Sequence, residues 1–267
     1  MPLKAIQNAK DAEVTKPKIL CIGPAGVGKT AQFLTLPGKK FAYIFDPNSV
    51  DTLKGFDVDF LPFIPDKEDL NLAVVALAAG KADKPRRNST PQTYVDWEAD
   101  FDERLEKNFF DAYDWISIDG CTTLSEIIMD RIQWINGRLG KQPEQADYAA
   151  EMNTFKNIFR TLTNLKSNLY CTAHTEIQRD ETTAKTYAQL VMTGRNRTRL
   201  PMRFSQIYGL EVSTGEKGKP IWQAHTIQDK MHPSVRTTVK GLQPIEDVTI
   251  DWSKNPIGQG IGRFCMK

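Results

Sequence analysis

Short, nearly continuous apolar runs, each bounded by a polar residue or glycine, set the rhythm of this chain. They are Lys18-Ile19-Leu20-Cys21-Ile22, Lys40-Phe41-Ala42-Tyr43-Ile44-Phe45-Asp46, residues 57–63, Asp114-Trp115-Ile116-Ser117-Ile118-Asp119 and Asn168-Leu169-Tyr170-Cys171-Thr172-Ala173-His174. Runs of this length predict buried strands. Between them the apolar positions change to helical spacing. Ala31-Gln32-Phe33-Leu34 continues as a helix after the first strand, and Leu70, Val74 and Leu77 mark another over about 67–79. Trp97, Phe101 and Leu105 form one stripe over 94–110, the mark of an amphipathic helix with a core-facing side. Further helices are expected over 122–135 and from Glu144 or Ala146 to Leu165. The alternation predicts an α/β fold, a mostly parallel sheet flanked by helices.

Polar and glycine-rich stretches divide the chain into an N-terminal extension (1–16), a core (17–204), a C-terminal β region continuing the core (205–254) and a glycine-containing tail (255–267). Within the core, residues 80–93 carry Lys81, Lys84, Arg86 and Arg87 beside Pro85 and Pro91 and read as an exposed loop or insertion. Residues 175–200 are polar and read as a long loop or loose hairpin. Strands over 205–212 and 220–228, joined by Ser213-Thr214-Gly215-Glu216-Lys217-Gly218-Lys219, predict an appended β-hairpin, and 235–239 adds a short strand. The tail, Asn255-Pro256-Ile257-Gly258-Gln259-Gly260-Ile261-Gly262, is expected to be irregular and to serve in docking or polymerisation.

The loop after the first strand changes this picture from a fold to a chemistry. Gly23-Pro24-Ala25-Gly26-Val27-Gly28-Lys29-Thr30 fits the phosphate-binding pattern G-x-x-x-x-G-K-[ST] in the strand-loop-helix setting that the pattern requires. The glycines let backbone N–H groups close on the β-phosphate, Lys29 brings a positive charge to the β and γ oxygens, and the Thr30 hydroxyl ligates Mg²⁺. Gly23, Pro24, Ala25, Gly26, Val27, Gly28, Lys29, Thr30 and Ala31 are therefore the expected nucleotide-binding residues, with ATP and Mg²⁺ as ligands. Asp119, at the end of its strand and before Gly120, reads as a Walker B carboxylate that organises the metal with Thr30; the rival reading is a cap for the following helix. Asp46 and His174 end their own strands on the same edge. Asp46 is the expected water-activating carboxylate, and His174 the sensing or water-orienting residue.

Composition narrows the compartment and the partners. The chain has 267 residues, a quarter of them charged and 40% hydrophobic, as in an ordinary globular protein. A net charge of +2 and a pI near 8.2 exclude a polybasic nucleic-acid binder, so any such contact must come from local clusters. Cys21, Cys121, Cys171 and Cys265 are widely separated and lack C-x-x-C spacing, which reads as reduced thiols in a cytoplasmic protein. The first residues lack the apolar core of a secretory leader, and no run reaches membrane-spanning length, so secretion and membrane contact are not expected.

Two further strands lie between Lys29 and Asp119, which suits a RecA-like or AAA-like core better than a compact kinase or GTPase. No N-K-x-D guanine-reading motif appears, and no lid of closely spaced arginines marks a small-molecule kinase. AAA-type machines commonly end the Walker B strand in Asp-Glu, where this chain has Asp119-Gly120. Together with Gly23 to Thr30, the segments Phe45-Asp46-Pro47-Asn48, Leu53-Lys54-Gly55, Thr172-Ala173-His174 and Gly194…Leu200-Pro201…Phe204 resemble the phage-encoded RecA-like P-loop ATPases, a group that includes single-strand annealing and recombination proteins. The resemblance covers roughly residues 17–228. It implies a RecA-like P-loop NTPase core, an ATPase that assembles as a ring or filament on single-stranded DNA, and cooperation with a single-strand binding protein. It further implies DNA contacts by Lys185, Arg195, Arg197 and Arg199 in one loop, with Tyr187 stacking on bases, and by Arg138 and Lys141 in another. Lys230 or Arg236 would then reach a neighbour's nucleotide. Two other roles stay open at this point: a motor or loader for replication proteins, and an assembly module that holds nucleotide with little turnover.

Overall fold

The computed structural model describes residues 16–65, 91–182 and 184–266. The helix expected over 67–79 and most of the 80–93 loop lie outside the described residues. The strands are β1 (Lys18–Gly23), β2 (Lys40–Ile44), β3 (Asp59–Pro62), β4 (Trp115–Asp119), β5 (Asn168–Arg179), β6 (Thr186–Leu190), β7 (Gln206–Thr214), β8 (Pro220–His225) and β9 (Ile245–Asp247). The helices are α1 (Lys29–Leu34), α2 (Ser49–Leu53), α3 (Gln92–Glu106), α4 (Cys121–Ile135), α5 (Gln145–Asn164) and α6 (Asn196–Arg199).

One sheet runs in the order β3-β2-β4-β5-β1-β7-β8-β9, with β6 paired to the far end of β5. The pairs from β3 across to β7 are parallel, and β7-β8-β9 is antiparallel. This is the mostly parallel sheet with an appended hairpin that the apolar runs predict. Burial on both faces explains why the strands do not alternate with polar residues. Leu20 and Ile22 pack on one face with Trp97, Leu124, Ile128 and Phe159 from α3, α4 and α5. Ile19 and Cys21 pack on the other with Phe33 and Leu34 of α1 and with Ile261 and Phe264 near the end of the chain.

Among the described residues of 175–200 the end of β5 and the return strand β6 form a hairpin, one of the two expected readings, and the short helix α6 follows. The C-terminal portion departs from expectation in two places. Residues 235–239 contribute a single bridge, Ile207 to Arg236, rather than a strand, while β9 forms further on. The tail is not an irregular projection: Gly260–Cys265 is a 3₁₀ turn whose Ile261 and Phe264 are buried against α1. Gln32 accepts from Ile261 N (2.8 Å) and donates to Val248 O (2.8 Å), and Gly262 N donates to Thr35 Oγ1 (2.9 Å).

Candidate functional site

Parallel register gathers the chemistry along one edge. Gly23 pairs with His174 across β1 and β5, and Ile44 pairs with Asp119 across β2 and β4. The residues that end these strands therefore surround the loop between β1 and α1, as the topological rule for open α/β sheets requires. A cleft of about 490 Å³ results, lined by Gly26, Gly28, Lys29, Thr30, Asp46, Asn48, Thr123 and His174 among others. Gly28 sits at the entrance to α1 with φ 84°, a left-handed conformation that a side chain would strain, and the Trp222 ring closes the space where its Cβ would stand.

Lys29 is buried, and its ammonium donates to two carbonyls of its own loop, Gly23 O (3.0 Å) and Pro24 O (2.7 Å). Burial pushes its pKa down to about 8, against the pull of Asp46 and Asp119. The third contact of Lys29 Nζ is His174 Nδ1 at 3.2 Å. An ammonium can only donate, so Nδ1 accepts and the ring proton sits on Nε2. His174 Nε2 then donates to Asp46 Oδ2 (3.1 Å), and Thr123 Oγ1 donates to Asp46 Oδ1 (2.5 Å). Burial pushes the Asp46 carboxyl up, but these two bonds and the charge of Lys29 outweigh it and hold the group below the usual carboxylate range.

Asp119 is only 2% exposed and accepts from Thr30 Oγ1 (2.9 Å) and Thr172 Oγ1 (2.7 Å). Burial pushes its pKa up, and the hydroxyl bonds of Ser49, Thr172 and Thr30 only partly oppose this. It does not cap the helix that follows, because the residue at that position is Gly120, which makes no side-chain cap. A buried carboxylate beside the hydroxyls of Thr30, Ser49 and Thr172 is a hard-oxygen donor set of the kind that suits a small divalent cation. Thr30, Asp119 and Ser49 thus fit Mg²⁺.

A family model described as an AAA domain matches residues 15–238. The chain belongs to that family. This AAA domain is a P-loop ATPase-type domain, and its P-loop lines the cleft. No curated protein matches it in a sequence search. No helix among the described residues is long and apolar enough to cross a membrane.

The other residues singled out in the sequence fall elsewhere in this AAA domain. Lys185 lies in the connection of the β5–β6 hairpin, and Arg195, Arg197 and Arg199 lie in and before α6; all four are exposed. Lys141 and Lys230 are exposed as well. Arg138 is taken up within the chain, where its guanidinium forms an ion pair with the buried Asp147 at the start of α5 and approaches Glu144. Arg236 likewise donates to Pro201 O and Phe204 O, so its head group is held against its own core.

Sequence reasoning overlooked the residues that hold the site from behind. Thr172 could have been found, since it precedes His174 by two residues on one strand and so shares its face. Trp222 and Trp252 gave no local signal. They meet Gly26, Gly28, Ala31, Gln32 and Ile250 around a recess of about 160 Å³ on the far side of the loop, built by the β7–β8–β9 region.

Proposed function

We propose that this AAA domain binds ATP–Mg²⁺ in the cleft, hydrolyses the γ-phosphoryl bond, and couples that event to single-stranded DNA. The observation that carries the reading is the chain of contacts from Lys29 through His174 to Asp46. It ties the residue that would meet the γ-phosphate to the carboxylate best placed to accept a proton from water.

In this reading Lys29 exchanges the carbonyls of Gly23 and Pro24 for phosphate oxygens, and the loop N–H groups complete the cradle. Thr30 and Asp119 would hold Mg²⁺, which supplies charge neutralisation on the phosphates when bound. Asp46, kept ionised by His174 and Thr123, orients and deprotonates the attacking water. The Lys29 contact keeps the His174 proton on Nε2, aimed at Asp46, so the presence of phosphate is felt at the base. The recess beside Trp222 and Trp252 suits the nucleobase, whose face can stack on an indole.

Coupling to DNA rests on continuity of the chain. β5 passes through His174 and runs on to Arg179 before returning as β6, so the hairpin with Lys185 and the adjacent Arg195, Arg197 and Arg199 is an extension of the strand that carries the site histidine. Phosphate contacts by those exposed cations would load that strand directly. A homo-oligomer in which the exposed Lys230 reaches a neighbour's nucleotide completes the proposal. The deciding experiment is ATP turnover with and without single-stranded DNA. Turnover stimulated several-fold by DNA supports the reading. Absence of both stimulation and DNA binding removes the DNA half, and tight ATP binding retained by a folded Lys29→Ala protein removes the nucleotide half.

A further inference from the structure

The chain contains three histidines. One is His174 in the cleft. The other two, His225 at the end of β8 and His232 in the segment beyond it, come together in the C-terminal β region, with ring centroids 3.9 Å apart. Glu211 on β7 joins them, because Gly209 pairs with His225 and Glu211 stands two residues along on the same face. Gly209 also makes the room: a Cβ there would lie 3.1 Å from the His232 ring. One ligand-capable atom from each of Glu211, His225 and His232 lies within 4.8 Å of the other two, and among the described residues no other trio of such side chains does this.

We propose that Glu211, His225 and His232 form a binding site for a divalent transition ion of the zinc class. Three observations carry it. The donor set of two imidazoles and one carboxylate suits Zn²⁺ and leaves a fourth position for water. His225 is nine-tenths buried, and its Nε2 has no hydrogen-bond partner although Glu211 Oε1 lies 2.8 Å away. A buried, unbonded imidazole nitrogen facing a carboxylate is a costly arrangement for a protein alone, and a cation between them removes the cost. Finally, Asp229 lies on the opposite edge of both rings, 3.2 Å from His225 Nδ1 and 3.3 Å from His232 Nδ1. A carboxylate that accepts a hydrogen bond from the Nδ1–H of a histidine leaves Nε2 as the lone-pair donor, which is how metal-binding imidazoles are held.

The ion would act at a distance from the nucleotide cleft chemistry. It would cross-link β7, the end of β8 and the segment that carries Lys230, fixing the exposed lysine relative to the sheet. The site does not depend on the proposed ATPase reading, and its test uses a different readout.

Full-length protein stripped with a chelator is titrated with Zn²⁺, and with Co²⁺ for its visible absorption, in buffer holding excess Mg²⁺ to occupy the Thr30–Asp119 site. The expected result is one Zn²⁺ per chain, a raised Tm, and Co²⁺ bands of a low-coordinate nitrogen–oxygen site that Zn²⁺ displaces. Glu211→Gln and His232→Gln, both at positions that are not fully buried, should each weaken binding by about tenfold or more while ATP binding persists. Wild-type protein that takes up no Zn²⁺ overturns the proposal, as does Zn²⁺ uptake equal in wild type and both folded variants.

Discussion

Asp46 fills the space that a side chain on Gly120 would need. A Cβ at Gly120 would stand 2.6 Å from Asp46 Oδ1 and 3.1 Å from Asp46 N, and the Gly120 backbone is left-handed with φ 106°. Gly120, the residue after Asp119, thus stands at the position where AAA-type machines commonly carry a glutamate, and the carboxylate of Asp46, just beyond β2, lies against it. Gly120→Ala should displace Asp46 by about 1 Å and lower kcat on the order of 100-fold, with nucleotide affinity within a few-fold of wild type. Measurement of kcat and of ATP affinity separates the two effects. Unchanged kcat would remove Asp46 from the water-activating role.

His174 positions Asp46 and reports on Lys29, so its loss should be read in turnover rather than in binding. His174→Ala is expected to lower kcat by about 10- to 100-fold with ATP affinity nearly preserved. His174→Gln, which can still donate toward Asp46, should recover part of the loss. Equal losses in the two variants would show that the ring acts only as filler.

The buried Lys29 makes nucleotide affinity depend on pH. In the free protein its pKa is about 8, and a phosphate ligand raises it, so binding takes up a proton whenever the ammonium has been lost. Affinity for a non-hydrolysable ATP analogue should be flat below pH 8 and fall by up to about tenfold per unit above it. The nucleotide-free fold responds in the opposite sense. The unfolded lysine keeps its proton up to about 10.5, so this group's unfavourable contribution shrinks as pH rises from 8 toward 10.5. Isothermal titration from pH 7 to 9.5 checks the first statement, and an affinity that stays level to pH 9.5 refutes it.

Trp222 and Trp252 should distinguish the base from the phosphates. Replacing either with Ala removes a stacking face and is expected to weaken ATP by about 1–3 kcal/mol, while binding of inorganic tripolyphosphate stays unchanged. Trp252 is 53% exposed, so its variant tests the recess with little risk to the core. Parallel losses for ATP and tripolyphosphate would place the base elsewhere.

Phe264 tests the tail. It is 2% exposed and packs on Tyr208 at 5.3 Å between ring centroids. Phe264→Ala should cost about 3–5 kcal/mol of stability, seen as a lowered midpoint in urea at unchanged slope. A loss under about 1 kcal/mol would mean that the tail adds nothing to the fold.

What the sequence disclosed and what it hid follow one physical division. The P-loop, Asp46, Asp119 and His174 were legible because each is local, a polar residue at the end of an apolar run, and parallel pairing then places such ends side by side. Thr123 and Ser49 complete the same site from helices whose faces only the packed structure orients. Arg138 and Arg236 read as free cations because charge is visible in sequence and partners are not. Asp147 lies on the next helix, and the carbonyls of Pro201 and Phe204 are more than thirty residues from Arg236. The expected strand over 235–239 reduces to one bridge: Arg236 pairs with Ile207, and beyond it Val239 N donates to Thr237 Oγ1.

The place of β1 between β5 and β7 governs how the protein comes into being. Both neighbours of the P-loop strand are distant in sequence, and Lys29 finds His174 across 145 residues. Contacts of that span close late, since a long loop must be ordered before they form. As the chain leaves the ribosome, the P-loop strand waits for its first partner until β5 has been made and for its second until residues 206–209 follow. The nucleotide cleft consequently assembles only once β5 has been made, and ATP capture by a nascent chain would mark the moment at which β5 has joined the P-loop strand.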